Sequence, residues 1–259
     1  MIPSINIFNK SISMYNMMVL IGIFAGLIYV IKICKKKKIE DNEIIATLLI
    51  GCIGVFFGGH ILYAITRIDL IILFFQKIDR VTSFSIFISC FQEIFGGSVF
   101  YGGLIGGFIT STIYIKKKKL DINLITDICA PVIPLFHFFG RIGCFLVGCC
   151  YGVESNIGFT YKHALIDLAN NVKRFPIQLV ESSYNLILFI ILYNLYKKEK
   201  LKGKLIYLYL ILYSIARFIF EFFRGDSYRG FLFGLSTSQI ISIFVLIFGI
   251  IFITKKKDN

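Results

Sequence analysis

Seven stretches of about twenty mostly apolar residues punctuate this chain, at about 15–34, 44–63, 96–115, 124–147, 177–196, 205–223 and 236–254. Crossing roughly 30 Å of hydrocarbon takes about 20 apolar residues in a helix. Little else can be folded from such a pattern. With 57% hydrophobic and 16% aromatic residues, the chain lies well above a soluble domain of its length. The expectation is an all-α integral membrane protein of about seven transmembrane helices, forming a single polytopic membrane domain over residues 1–259.

Lys clusters sit at Lys35 to Lys38, Lys116 to Lys119, Lys197 to Lys204 and Lys255 to Lys257. Every second connection is therefore basic, and the positive-inside rule puts those connections in the cytoplasm. The N-terminus is then outside and the C-terminus cytoplasmic. The net charge of +13 follows from Lys packed against helix ends, the pattern expected beside anionic headgroups. No nucleic-acid partner is expected, because no basic soluble module exists. The first apolar stretch is too long for a cleaved signal peptide and lacks a small-residue cleavage site.

Ionisable side chains inside a span usually face a cavity or a partner, since lipid penalises them. They concentrate at two places. At the end of span four, His137, Arg141, Cys144 and Gly148 recur at three- and four-residue spacing and share one helical face. In span six Tyr213, Arg217, Glu221 and Arg224 do the same. Arg217 and Glu221 could be a structural ion pair, and Arg224 could only snorkel to headgroups. Two Arg on separate helices at similar depth nevertheless read as a phospholipid headgroup site, because planar guanidinium groups bind phosphate oxygens in pairs. Span three opens with Gly96, Gly97, Tyr101, Gly102 and Gly103, which serve either helix packing or a close wall for a lipid or peptide. Gln178 and Glu181, at i, i+3 in span five, could supply hydrogen-bond acceptors.

The stretch Gly140-Arg141-Ile-Gly143-Cys144-Phe-Leu-Val-Gly148-Cys149-Cys150-Tyr151-Gly152 resembles the Gly-Arg-x-Gly-Asn-Phe motif and its continuation in prolipoprotein diacylglyceryl transferases. Further matches stand in the family's order over nearly the whole chain. They are Ser13-Met14-Tyr15, Gly96 through Gly106, Pro176-Ile-Gln178-Leu-Val-Glu181, Arg217 through Arg224, and Gly234-Leu-Ser236-Thr-Ser-Gln239. The resemblance implies a seven-span bacterial enzyme in the cytoplasmic (inner) membrane, its active face outward. It would move diacylglyceryl from phosphatidylglycerol to the lipobox Cys of an exported prolipoprotein. No cofactor and no metal are implied. Arg141, Tyr101, His137, Glu181, Arg217 and Glu221 are the catalytic candidates. Tyr15, Gly96, Gly97, Gly102, Gly103, Gly143, Cys144, Gly152, Gln178, Tyr213 and Arg224 are the substrate-binding candidates.

Three positions depart from the family pattern. Its His in span three is Tyr101 here, the Asn of its motif is Cys144, and an acidic position further along is Cys149. The first departure leaves His137, one turn before Arg141, as the candidate proton acceptor. The alternative function is a divergent paralogue that binds or moves phospholipid or uses another acceptor. Cys144, Cys149 and Cys150 read first as small apolar packing residues. A disulfide through Cys144, a metal site with His137 and a covalent lipid carrier remain as alternatives.

Overall fold

The computed structural model describes residues 1–7, 10–39, 41–97, 99–226, 231–232 and 234–255. Lys256 and Lys257 of the last Lys cluster lie outside the described residues. In chain order the elements are β1 (Ser4–Ile7), β2 (Lys10–Ser13), α1 (Met14–Lys37), α2 (Asn42–Thr66), α3 (Ile68–Gln76), α4 (Phe84–Phe95), α5 (Phe100–Lys117), α6 (Ile122–Cys129) and α7 (Val132–Val147). There follow β3 (Glu154–Thr160), β4 (Lys173–Arg174), α8 (Ile177–Lys197), α9 (Leu205–Phe220), β5 (Phe231–Leu232), β6 (Leu235–Ser236) and α10 (Thr237–Thr254). Among the described residues the strands form three separate antiparallel pairs.

Among the described residues, six helical stretches are long and apolar enough to cross a membrane: Met14–Lys37, Asn42–Thr66, Ile122–Val147, Ile177–Lys197, Leu205–Phe223 and Thr237–Thr254. This is a multi-pass, helical membrane protein. The stretch expected at 96–115 starts later, as α5 of 18 residues. The fourth span is interrupted after α6, where Pro131 cannot donate a backbone hydrogen bond. The segment between spans two and three is not plain connection. It carries α3 and α4, of 9 and 12 residues, too short to cross a bilayer and apolar enough to lie at its surface or under other helices.

The chain divides into two compact units, Met1–Ile39 with Asn123–Asn259, and Glu40–Ile122. Within the second, glycine faces bring α2 and α5 together. A Cβ on Gly102 would lie 2.2 Å from the Gly58 carbonyl oxygen, and one on Gly106 2.2 Å from that of Gly54. Gly103 packs on Val55. His60 Nδ1 lies 2.7 and 2.8 Å from the carbonyl oxygens of Phe95 and Gly97. Two acceptors on one nitrogen require that nitrogen to carry the proton, so the ring donates to the turn before α5.

In the first unit α7 packs between α1 and α8, and α9 against α8 and α10. Gly22 and Gly26 let α1 approach α7, where their Cβ positions would meet Phe136 at 3.2 Å and Val132 at 3.0 Å. Lys37 at the end of α1 pairs with Glu199 beyond α8, and Lys204 Nζ donates to the Ile253 carbonyl near the end of α10 at 2.7 Å. Two Lys clusters and Lys255, the described residue of a third, thus share one end of this unit. Lys202 and Lys37 hold the exposed Glu199 carboxyl low, at about 2. The opposite end carries the connection 148–176 and the described residues 221–226 and 234–236.

Buried Asp127 fastens the Lys-bearing end. Its carboxylate accepts from the backbone N–H groups of Gly203 (2.5 Å) and Leu205 (3.1 Å), supplying the first turn of α9 with the partners a helix N-terminus lacks. Asp127→Ala should destabilise the protein by about 1–3 kcal/mol. Thermal unfolding in detergent micelles checks this against Asp69→Ala, an exposed site; equal midpoints for the two variants would remove the capping role.

Candidate active site

The site is built at the end of α7. Gly148 terminates that helix with φ +76, and its N–H donates to the carbonyls of Cys144 (3.0 Å) and Phe145 (3.2 Å). The next N–H, of Cys149, reaches back to the Cys144 carbonyl at 3.1 Å. This is a Schellman cap, which needs a left-handed residue and so favours glycine. Tyr151 is buried beneath the Arg174 guanidinium, 4.4 Å from its ring centroid. Arg174 also donates to the carbonyls of Leu168, Ala169 and Gly152.

Gly152 is the crossing point. A Cβ there would lie 2.2 Å from the Phe175 carbonyl oxygen. Gly152 bridges antiparallel to Arg224, Val153 N–H donates to the Phe223 carbonyl, and Gly225 N–H donates to that of Tyr151. The backbone after α7 is therefore threaded between the start of α8 and the end of α9, which brings Arg224 to the other charges. Gly152→Ala must push that backbone apart, at a cost of about 1–3 kcal/mol. Limited proteolysis of the 148–176 connection should accelerate, and an unchanged cleavage rate would argue against the crossing.

Glu181 stands at the centre, its side chain 3% exposed. Its Oε2 lies 2.5 Å from Arg141 Nε and its Oε1 3.3 Å from Arg217 Nη1, with Arg224 Nη1 at 3.9 Å. Arg217 Nη2 reaches Glu221 at 2.7 Å and Ser238 Oγ at 3.0 Å. Arg224 forms a two-point pair with Asp226, at 2.8 and 2.7 Å. Arg217 and Arg224 are thus largely occupied. Arg141 is not. It meets Glu181 through Nε without an aligned hydrogen bond, and its two Nη groups have no hydrogen-bond partner among the described residues. Arg224 Nη1 is buried and likewise without one.

A narrow cleft, with room for little more than one water molecule, opens along Arg141, Glu181, Asn185, Tyr213 and Arg217. Unpartnered N–H donors of Arg141 beside it, with neighbouring cations already neutralised, suit a single oxyanion group. His137 lies deeper, its Nδ1 3.4 Å from Tyr209 Oη and its ring 5.3 Å from that of Tyr213. Tyr15 begins α1 against Gly143, whose Cβ position would be 3.2 Å from Tyr15 Cα.

The structure thus gathers Tyr15, His137, Arg141, Gly143, Cys144, Gly152, Gln178, Glu181, Tyr213, Arg217, Glu221 and Arg224 in one unit. Gln178 is spent on structure: its Nε2 donates to the Cys149 carbonyl at 2.8 Å and its Oε1 accepts from Tyr161 Oη at 2.9 Å. Gly140 does not serve close packing, as nothing lies within 4 Å of its Cβ position. Gly96, Gly97, Gly102, Gly103 and Tyr101 belong to the other unit, and the Tyr101 side chain, like Ser98, lies outside the described residues. Sequence reasoning missed Arg174, Asn185, Tyr209 and Ser238. Spacing could have marked two of them, since Asn185 stands four residues after Glu181 and Tyr209 four before Tyr213, whereas Arg174 lies in an irregular connection with no periodicity.

The family model for prolipoprotein diacylglyceryl transferase matches residues 4–255. The chain belongs to this family. A phosphatidylglycerol–prolipoprotein diacylglyceryl transferase of Clostridium tetani is 36% identical over 247 residues, covering 94% of this chain and 93% of the relative. One from Clostridium perfringens, named as the second of its kind, is 34% identical over 95% of this chain and 91% of its own length. One from Rickettsia bellii is also 34% identical, with the same coverage of each chain. The family membership bears out the resemblance carried by the Gly140–Gly152 motif.

Proposed function

We propose that this protein transfers diacylglyceryl from phosphatidylglycerol to the lipobox Cys thiol of an exported prolipoprotein. The observation that carries the reading is the pair of unengaged Arg141 Nη groups beside a crevice in a membrane helix bundle. In the reaction the acceptor sulfur attacks the glyceryl carbon, a C–S bond forms and the C–O bond to phosphate breaks. Glycerol phosphate leaves with the electron pair on its oxygen. Arg141 holds that phosphate and Arg224 Nη1 adds a second donor, while Glu181, Glu221 and Asp226 fix the guanidinium groups. His137 takes the thiol proton. Charge developing on the phosphate oxygen is stabilised most by donors already in place.

Arg141→Ala should lower transfer by about 10²–10³-fold, the range for losing one preorganised donor, with the protein still inserted. Labelled phosphatidylglycerol followed onto a lipobox peptide measures it, and Lys117→Ala is the control expected to stay at full rate. A folded Arg141→Ala protein of undiminished activity would take the phosphate away from this residue.

The site is proposed to face outward from the bacterial cytoplasmic membrane. The shared end of the Lys clusters supports this, since basic ends stay in the cytoplasm. Reporter fusions after Lys119 and Lys204 should read cytoplasmic, and those near Asn156 and Asp226 external. A cytoplasmic Asn156 reverses the orientation.

A further inference from the structure

Cys144, Cys149 and Cys150 hold their sulfur atoms within 4.8 Å of one another. The convergence is set by the backbone. A Schellman cap lays the second residue past the helix end over the residue three positions inside it, and here those residues are Cys149 and Cys144. Cys150 then takes φ +55, a left-handed conformation uncommon outside Gly, Asn and Asp, which folds the chain back at the cluster. Packing alone would not need a sulfur at each of three converging positions. The spacing, four residues and then none, fits no standard zinc motif, so the site is visible only once the cap is seen.

We infer that Cys144, Cys149 and Cys150 form a three-thiolate site for a thiophilic d10 cation, Zn²⁺ or Cu⁺. Thiolate sulfur selects these ions. A metal–sulfur bond of about 2.3 Å places bound sulfurs about 3.8–4.0 Å apart, so the cluster needs side-chain adjustments of only about 1 Å. Cu⁺ accepts three ligands; Zn²⁺ takes a fourth from water. Three S–H protons pass to solvent as three S–metal bonds form. Arg141 and Arg224 lie within electrostatic reach of Cys150, and neighbouring guanidinium charge favours thiolates.

The site sits where a metal would act on the rest of the molecule. Cys149 offers its carbonyl to Gln178 at the start of α8, and the residues immediately after Cys150 pair with Arg224 and Gly225. Occupancy would lock the end of α7 to the segment that presents Arg224. The metal is thus a structural clamp on the anion site, outside the group-transfer step itself.

The test uses the full chain, purified in detergent with reductant and then made metal-free. Cd²⁺, Zn²⁺ and Cu⁺ are titrated separately, with metal analysis after desalting and thiolate-to-metal charge-transfer absorption as readouts. The expected result is one ion per chain, with three of the seven cysteines protected from alkylation until a chelator is added. The relative affinities for Zn²⁺ and Cu⁺ identify the ion. Cys144→Ser and Cys150→Ser should each weaken binding by more than about 100-fold, beyond what outer-shell changes cost, whereas Cys52→Ser should not. Arg141→Ala should still bind metal, so loss of transfer and loss of the metal site are read separately. Binding that survives in the triple Ser variant, or reduced protein that takes up no stoichiometric metal, overturns the inference. So does a chain that forms only a Cys144 disulfide and gains no metal once reduced.

Discussion

Glu181→Ala should destabilise the protein by about 3–5 kcal/mol, the usual cost of removing one partner from a buried ionic group, and should abolish transfer. The side chain is 3% exposed and faces three guanidinium groups, of which Arg141 has no other acidic partner within 4.0 Å among the described residues. Without the carboxylate, two or three cations repel one another in a space that water barely enters. Arg217 and Arg224 retain Glu221 and Asp226, so the damage should centre on Arg141 and on the α7–α8 contact. Glu181→Gln keeps the volume and one acceptor, and should fall between wild type and Ala in thermal unfolding. Removing Glu199 is the contrast: its pairs with Lys37 and Lys202 lie at the surface, where solvent screening leaves little to lose. If the Ala variant unfolds at the wild-type temperature, the carboxylate is not the hub of the cluster.

The charged face was legible because α-helical spacing is regular. His137, Arg141 and Cys144 share a face in any helix, and the same holds for Tyr213, Arg217 and Glu221. What spacing could not give was the partner of each charge. Arg217 with Glu221 is visible at i, i+4, but Glu181 comes from another helix, and Arg224 with Asp226 pairs across a turn after α9 ends. The Lys clusters forecast the shared end of α1, α8 and α10, since charge marks a helix end directly. α3 and α4 went unseen because short apolar runs between spans have no length signal. Gly96, Gly97, Gly102 and Gly103 show the limit of reading small residues. Gly102 and Gly103 are accounted for by α2 against α5, while Gly97 packs on the Tyr63 ring and Gly96 on its own preceding turn; a sequence cannot say what a missing side chain makes room for.

His137→Gln should lower turnover by about 10²–10⁴-fold, the range for losing a positioned proton acceptor, and leave lipid binding nearly unchanged. Glutamine keeps much of the polarity and volume of histidine but cannot take up a proton. His137 lies one turn before Arg141 and beside the Tyr213 ring at the crevice, with Tyr209 Oη 3.4 Å from Nδ1. That neighbour can hold the ring in place while the other nitrogen works. Two readouts separate a base from a packing residue. The turnover number should fall with KM for phosphatidylglycerol little changed. The wild-type rate should also decline on acidification as the imidazole protonates, and this limb should vanish in the variant. Tyr209→Phe, which removes only the hydroxyl, should cost less and keep the acidic limb. A His137→Gln enzyme with unaltered turnover and pH profile takes His137 out of the mechanism and passes proton acceptance to Glu181, the carboxylate already at the crevice.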